Sequence, residues 1–168
     1  MSKARGGSRG RITPRERSSV SKARRARGFE ILEQGDLGEV AFVHKAMSLR
    51  FVVAKPYGHN HRYDFILEAG KNLWRVQVKT CTKSKGDLYS ANVFHSLNGA
   101  QVAYSEADFD FVAVCIMPEQ IWYLLPVREV VGHPCLRFRP KGYGRGDIHE
   151  HYREAWHLLR QPDGLVFG

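Results

Sequence analysis

The stretch RYDFILEAGKNLWRVQVKT, residues 62–80, decides how this chain is read. Two apolar-rich runs flank Gly70-Lys71, and a two-residue loop with Gly first suits a type II′ hairpin turn. With those two residues as the loop, Ala69 faces Asn72 and paired residue numbers sum to 141. Asp64 then stands opposite Gln77, and opposed residues share one face of a sheet. Strand alternation places Arg75, Gln77 and Lys79 on that face, with Val76 and Val78 on the other. The turn chemistry thus gathers Asp64, Gln77 and Lys79 at one end of a hairpin. A three-residue loop would shift the register by one and break the alignment.

Working outward, Gly35 to Leu49 reads as a helix with Asp36 as N-cap or first-turn acid. Leu37, Val40, Ala41, Val43, His44 and Met47 give it an apolar stripe near the 3.6-residue period. Phe51–Ala54 is a short strand that stops before Pro56, and residues 56–61 are a loop. Beyond the hairpin, Leu88–Val93 and Phe109–Met117 read as strands. Ile121–Leu125 follows as another, after a turn at Pro118-Glu119-Gln120. Residues 140–147 form a Gly-rich loop. Asp147 then caps a last helix to about Arg160, with Tyr152, Ala155, Trp156 and Leu159 on one face. A helix, several strands and a helix predict an α/β or α+β fold with a mixed central sheet flanked by helices.

The 168 residues suffice for one domain with a real core. No run of 18 apolar residues is present to span a membrane, and no apolar leader opens the chain. Cys81, Cys115 and Cys135 are too few and too scattered for a disulfide framework. With His133, Cys135 is at most half of a zinc site. The expected setting is a reduced, cytoplasmic one.

The charge is localised. Residues 1–27 hold ten Lys or Arg and one acid, a net +9; the remaining 141 residues carry 16 of each sign and are neutral overall. Residues 1–27 have little to bury and are expected to form a disordered basic arm ahead of a domain at 28–168. Arg24, Arg25 and Arg27 are its candidate phosphate contacts. The arm equally suits a solubilising tail, an organelle-targeting segment or a misassigned start.

Hydrolysis of a phosphodiester needs a cation to neutralise the phosphate and activate water. Magnesium takes oxygen ligands, and the Asp64 carboxylate and Gln77 amide oxygen can supply two. Lys79 can orient the water or stabilise developing charge. Glu39, on the first helix, can reach the same end of the sheet. The spacing alone is a weak pattern. The bland alternative for Gln77 and Lys79 is the solvated face of an amphipathic strand. His59 and His61, before Asp64, and Lys83 and Lys85, after Lys79, are candidate substrate contacts or simply solvated loop residues.

The segment from Gly35 to Thr80 resembles the core of the PD-(D/E)XK nucleases. More narrowly, it is similar to a small bacterial subgroup that includes group I intron homing endonucleases. Gly38-Glu39 on a first helix, Tyr63-Asp64 opening a strand and Val76-Gln77-Val78-Lys79-Thr80 on the next carry the likeness. Asp110-Phe111, Trp122-Tyr123-Leu124-Leu125-Pro126 and Glu154-Ala155-Trp156 extend it to about residues 34–160.

The resemblance implies a restriction-endonuclease-like core and a metal-dependent DNA endonuclease. Asp64, Gln77 and the Val78 backbone carbonyl would bind Mg²⁺ or, in its place, Mn²⁺. Lys79 would assist the water and Glu39 would support the site. Duplex DNA and a homodimer or higher homo-oligomer are the implied partners, and homing, restriction-like and junction-resolving activities stay open. Two departures stand out. Gln77 replaces the usual acid, which leaves open a catalytically inactive DNA-binding fold. The literal Pro-Asp dipeptide is absent, Pro56 lying well before Asp64.

Overall fold

The computed structural model describes residues 14–58, 61–97, 99–142 and 148–160, with side chains from residue 32 onward and at Glu30. The chain divides into two compact units, one up to Glu33 and one from Gln34. Helix α1 is Pro14–Ser48. It therefore starts well before Asp36, and residues 14–27, expected to be unstructured, are helical. Ala, Arg, Lys and Glu, which dominate this stretch, are among the better helix formers, and Pro14 suits a first turn.

From Gln34 on, the domain is built around a five-stranded mixed sheet. Its strands are β1 (Val52–Ala54), β2 (Phe65–Ala69), β3 (Asn72–Cys81), β8 (Phe111–Ile116) and β9 (Ile121–Pro126), adjacent in that order. Only β3 and β8 run parallel, with Gln77 beside Val112 and Lys79 beside Val114. The β2–β3 hairpin has the expected register, from Phe65↔Val76 to Ala69↔Asn72, every pair summing to 141. Gly70 supplies the positive φ of +66° that the turn requires.

One face of the sheet packs against α1. Phe42 and Ala46, both buried, meet Phe65, Leu67, Val76, Val78, Trp122 and Trp156. The expected helix stripe is displaced: Leu37, Val40 and Met47 are exposed, and the buried line is Gly38, Phe42 and Ala46. The reason is steric. Gly38 and Ala46 are small enough to bring the helix close to the strands, and Phe42 fills the space between them.

The opposite face carries Val112, Val114, Ile116, Tyr123 and Leu125. A small antiparallel sheet covers it, formed by β4 (Ser84–Lys85), β5 (Leu88–Asn92) and β10 (Cys135–Phe138), whose Tyr89, Ala91, Leu136 and Phe138 point inward. A separate hairpin, β6 (Phe94–Leu97) and β7 (Ala100–Ala103), follows β5.

The helix expected from Asp147 to Arg160 is not formed. Residues 143–147 lie outside the described residues, and two 3₁₀ turns occupy Glu150–Tyr152 and Trp156–Arg160. Between them Arg153 bridges to Tyr123 and Glu154 turns to φ +48°. The Glu154 amide donates to the Trp122 carbonyl at 2.7 Å, and the Trp122 amide donates to Glu154 Oε1 at 2.9 Å. Pairing with β9 outcompetes helix formation here. It carries the chain past the sheet edge, so that Tyr152 joins one core and Trp156 and Leu159 the other.

Candidate active site

The β2–β3 hairpin opens at Asp64, whose amide donates to the Val76 carbonyl at 2.9 Å. Its Oδ2 accepts from the Val78 amide at 2.7 Å and from Gln77 Nε2 at 2.5 Å. The same Gln77 nitrogen lies 3.2 Å from the Val78 carbonyl oxygen. Asp64 and Gln77 therefore meet, as the hairpin register requires, and the Val78 backbone lies against both. Gln77 is only 8% exposed, which rules out the solvated-face alternative for it. Burial pushes the Asp64 pKa up, against the Val78 hydrogen bond; Glu39 raises it further, while Lys79 and Lys55 pull it down.

Lys79, two residues along the same face, is half-buried, and its Nζ donates to the Tyr104 hydroxyl at 3.3 Å. Burial lowers its pKa and the Asp64 charge opposes that shift. Glu39 lies on α1 with Oε2 2.6 Å from Lys55 Nζ. Lys55 stands at the end of β1, just past Ala54, which pairs with Ile66, so it lies beside the start of β2. The Glu39 hydrogen bond and charge raise its pKa, with smaller contributions from Asp64 and Asp36. Glu39, Lys55, Asp36, Val40, Val43, His44 and Phe65 line a hollow of about 510 Å³.

Arg75, expected to accompany Gln77 and Lys79, is engaged elsewhere. Its backbone amide donates to Asp110 Oδ2 at 2.7 Å and its Nη2 donates to Oδ1 at 2.8 Å. This clasp fixes β3 against the start of β8. His61 Nε2 lies 3.1 Å from the Tyr57 carbonyl and its ring packs on Tyr63, so it serves the loop. His59 lies outside the described residues, as do the side chains of Arg24, Arg25 and Arg27, whose backbone belongs to α1. Lys83 and Lys85 are exposed just beyond the end of β3.

Two residues of the site were not singled out from the sequence. Tyr104 gave no signal, being one aromatic among many. Lys55 was within reach, because continuing the β1–β2 pairing by one residue places it beside Phe65, next to Asp64.

The donor set suits a hard divalent cation: a carboxylate oxygen, an amide and a backbone carbonyl converge, with no thiol or imidazole among them. The Gln77 amide would have to turn over to offer its oxygen rather than its nitrogen. Among the described residues, no three His, Cys, Asp or Glu side chains are grouped as a metal cluster, so any cation site here draws on the amide and the carbonyl.

The mixed five-stranded sheet with α1 against one face matches a restriction-endonuclease-like fold. A family model described as PD-(D/E)XK endonuclease matches residues 30–159, and the chain belongs to that family. Among solved structures it is similar to a bacterial homing endonuclease, I-Ssp6803I. The identity is 26%, the TM-score is 0.68, and the match covers 76% of this chain and 91% of that one. No curated protein matches the chain.

Proposed function

We propose that the protein is a metal-dependent endonuclease that hydrolyses phosphodiester bonds in duplex DNA. The observation that carries this reading is the convergence of Asp64 Oδ2, the Gln77 amide and the Val78 carbonyl, with Lys79 on the same strand face. Asp64, Gln77 and Val78 would hold Mg²⁺ or Mn²⁺. When bound, the cation supplies neutralisation of the phosphate and activation of water.

The chain's own residues do the rest. The Val78 amide fixes the Asp64 carboxylate in one orientation. Lys79 places a positive charge where negative charge grows on the phosphate. Glu39 and Lys55 neutralise each other beside the site and adjust the field at Asp64. The relative named as a homing endonuclease favours a sequence-specific activity of that kind over the restriction-like and junction-resolving alternatives. Two strands must be cut, so a two-fold homo-oligomer is the expected assembly. Exposed Leu37, Val40 and Met47 offer apolar surface to it, and the mass in solution checks this.

The test is nicking and linearisation of plasmid, random-sequence and branched DNA with Mg²⁺ or Mn²⁺. Native chain, Asp64→Ala and Lys79→Ala are compared. Cleavage by the native chain alone supports the site. A second reading, a nuclease fold that binds DNA without cutting, is favoured by Gln77, whose amide nitrogen stands against Asp64 where the family has an acid. DNA retention by the native chain with no cleavage of any substrate would establish that reading in place of the first.

A further inference from the structure

Lys79 is not held by the β2–β3 hairpin alone. Its ammonium donates to the Tyr104 hydroxyl at 3.3 Å and lies 5.5 Å from the centre of the Tyr104 ring. Tyr104 comes from a distant part of the chain, directly after β7. It is only 6% exposed. Its ring is fixed from two sides, edge-on against Phe109 at 4.9 Å and tilted against His95 at 5.3 Å. His95 belongs to β6, where it pairs with Val102 of β7. Its Nδ1 is buried without a hydrogen-bond partner among the described residues, an uncommon feature in a fold and one that draws attention to this corner. Burial pushes the Tyr104 hydroxyl up to about 12, so it stays neutral and accepts the ammonium's hydrogen bond without competing for its charge.

A lysine ammonium sits on a flexible four-carbon stem, and its position is only as defined as its contacts. Such a group does chemistry well when neighbouring side chains lock it in place. Strand β3 fixes the Lys79 backbone; Tyr104 fixes its charged end.

We propose that Tyr104 is a positioning residue for Lys79, so that the β6–β7 hairpin, through the rigidly packed Tyr104 ring, forms part of the active centre. This rests on the nuclease reading above and adds to it a residue outside the Asp64–Gln77–Lys79 set. Tyr104→Phe is the informative change, because it keeps the ring and its contacts with Phe109 and His95 and removes only the hydroxyl.

The experiment is single-turnover cleavage, with Mn²⁺, of whichever of the plasmid, random-sequence and branched DNAs the native chain cuts, by native chain and Tyr104→Phe, with the melting temperature of each. The expected result is a cleavage rate lower by roughly 10-fold in Tyr104→Phe, the scale of losing one hydrogen bond to a charged group. The DNA concentration for half-maximal rate and the melting temperature stay unchanged. A native rate in Tyr104→Phe overturns the proposal. So does a slower rate accompanied by weaker DNA binding or a lowered melting temperature, which would make Tyr104 merely structural.

A second measurement does not depend on the variant. In ¹⁵N-lysine-labelled native chain, the Lys79 ammonium, identified by its loss in Lys79→Arg, should be protected from exchange with water; an unprotected signal overturns the proposal. A native chain inert on every DNA defeats the nuclease reading itself, and this inference with it. That result is read from the native chain alone and so is distinct from failure of Tyr104→Phe.

Discussion

Asp64 is placed where its charge is costly. Burial is the largest influence on its pKa and raises it above the ordinary 3.8. The sign follows from linkage. Above both the unfolded and folded pKa the folded chain carries a buried carboxylate that the unfolded chain hydrates, so this group subtracts stability at neutral pH. Asp64→Asn keeps an oxygen to accept from Val78 and Gln77 and removes the charge. Its melting temperature without metal should exceed that of the native chain at pH 7. The gain should shrink as pH falls through the raised pKa and vanish below about 3.8. Thermal melts across pH, with chelator present, check this. Cleavage should be lost in the same variant. Gln77→Glu is the opposite experiment. It sets a second carboxylate against Asp64, where the Gln77 amide now donates to Oδ2 at 2.5 Å. Like charges at that range destabilise the metal-free fold. The added ligand charge should tighten Mg²⁺ or Mn²⁺ binding by ~10-fold, since charge count tunes cation affinity; calorimetry reads it directly. At this scale Asp64, Gln77 and Lys79 were legible because one turn dipeptide sets their register. Tyr104 was not, because its tie to Lys79 spans 25 positions and no local pattern encodes it.

Glu39 depends on how closely α1 approaches β3. A Cβ added at Gly38 would lie 1.8 Å from Thr80 Oγ1, and Gln34 Nε2 donates to the Thr80 carbonyl at 2.8 Å at the same place. The glycine before Glu39 is thus required by packing: it lets the helix touch the strand that carries Gln77 and Lys79. Gly38→Ala should destabilise the domain by about 1–3 kcal/mol, the usual cost of overpacking, despite alanine's better helix propensity. Thr80→Ala in the same chain should recover part of the loss. Denaturant unfolding of the three variants decides it, and a stabilised Gly38→Ala would refute the close approach. The same close approach explains why the buried face of α1 departs from its hydropathy. Hydropathy points to Leu37, Val40 and Met47, but the buried line is set by where a backbone fits, through Gly38 and Ala46. Strands β8 and β9 were legible as apolar runs. The β6–β7 hairpin was passed over although Asn98-Gly99, between Leu97 and Ala100, is a favoured two-residue hairpin dipeptide, because the short flanking runs lack a clear alternation of polar and apolar residues. The C-terminal segment has a helical pattern that is overridden by tertiary hydrogen bonds from Glu154 to β9, which no sequence period reveals.

Over the whole molecule the distribution of charge separates binding from chemistry. The 141 residues after Arg27 are neutral overall, and the +9 of the chain resides in its first 27. A neutral domain gains little from long-range attraction to DNA. Binding driven by the basic segment would instead come from counterion release, which makes affinity fall steeply with salt. Part of that segment is helical, from Pro14 onward, so its cations follow the spacing of a helix rather than of an extended chain. Removing residues 1–27 should weaken DNA binding at low salt. It should also flatten the slope of log K against log salt by about 0.9 for each phosphate that the segment neutralises. The rate of the bound complex should stay near that of the full chain, because Asp64, Gln77, Lys79 and Tyr104 all lie in the remaining domain. Fluorescence anisotropy at a series of salt concentrations, paired with single-turnover cleavage, separates the two effects. An unchanged slope would remove the basic segment from the interface and leave exposed cations of the domain, Lys83 and Lys85 among them, as the candidate phosphate contacts. A lost rate with unchanged affinity would instead place part of the segment in the active centre.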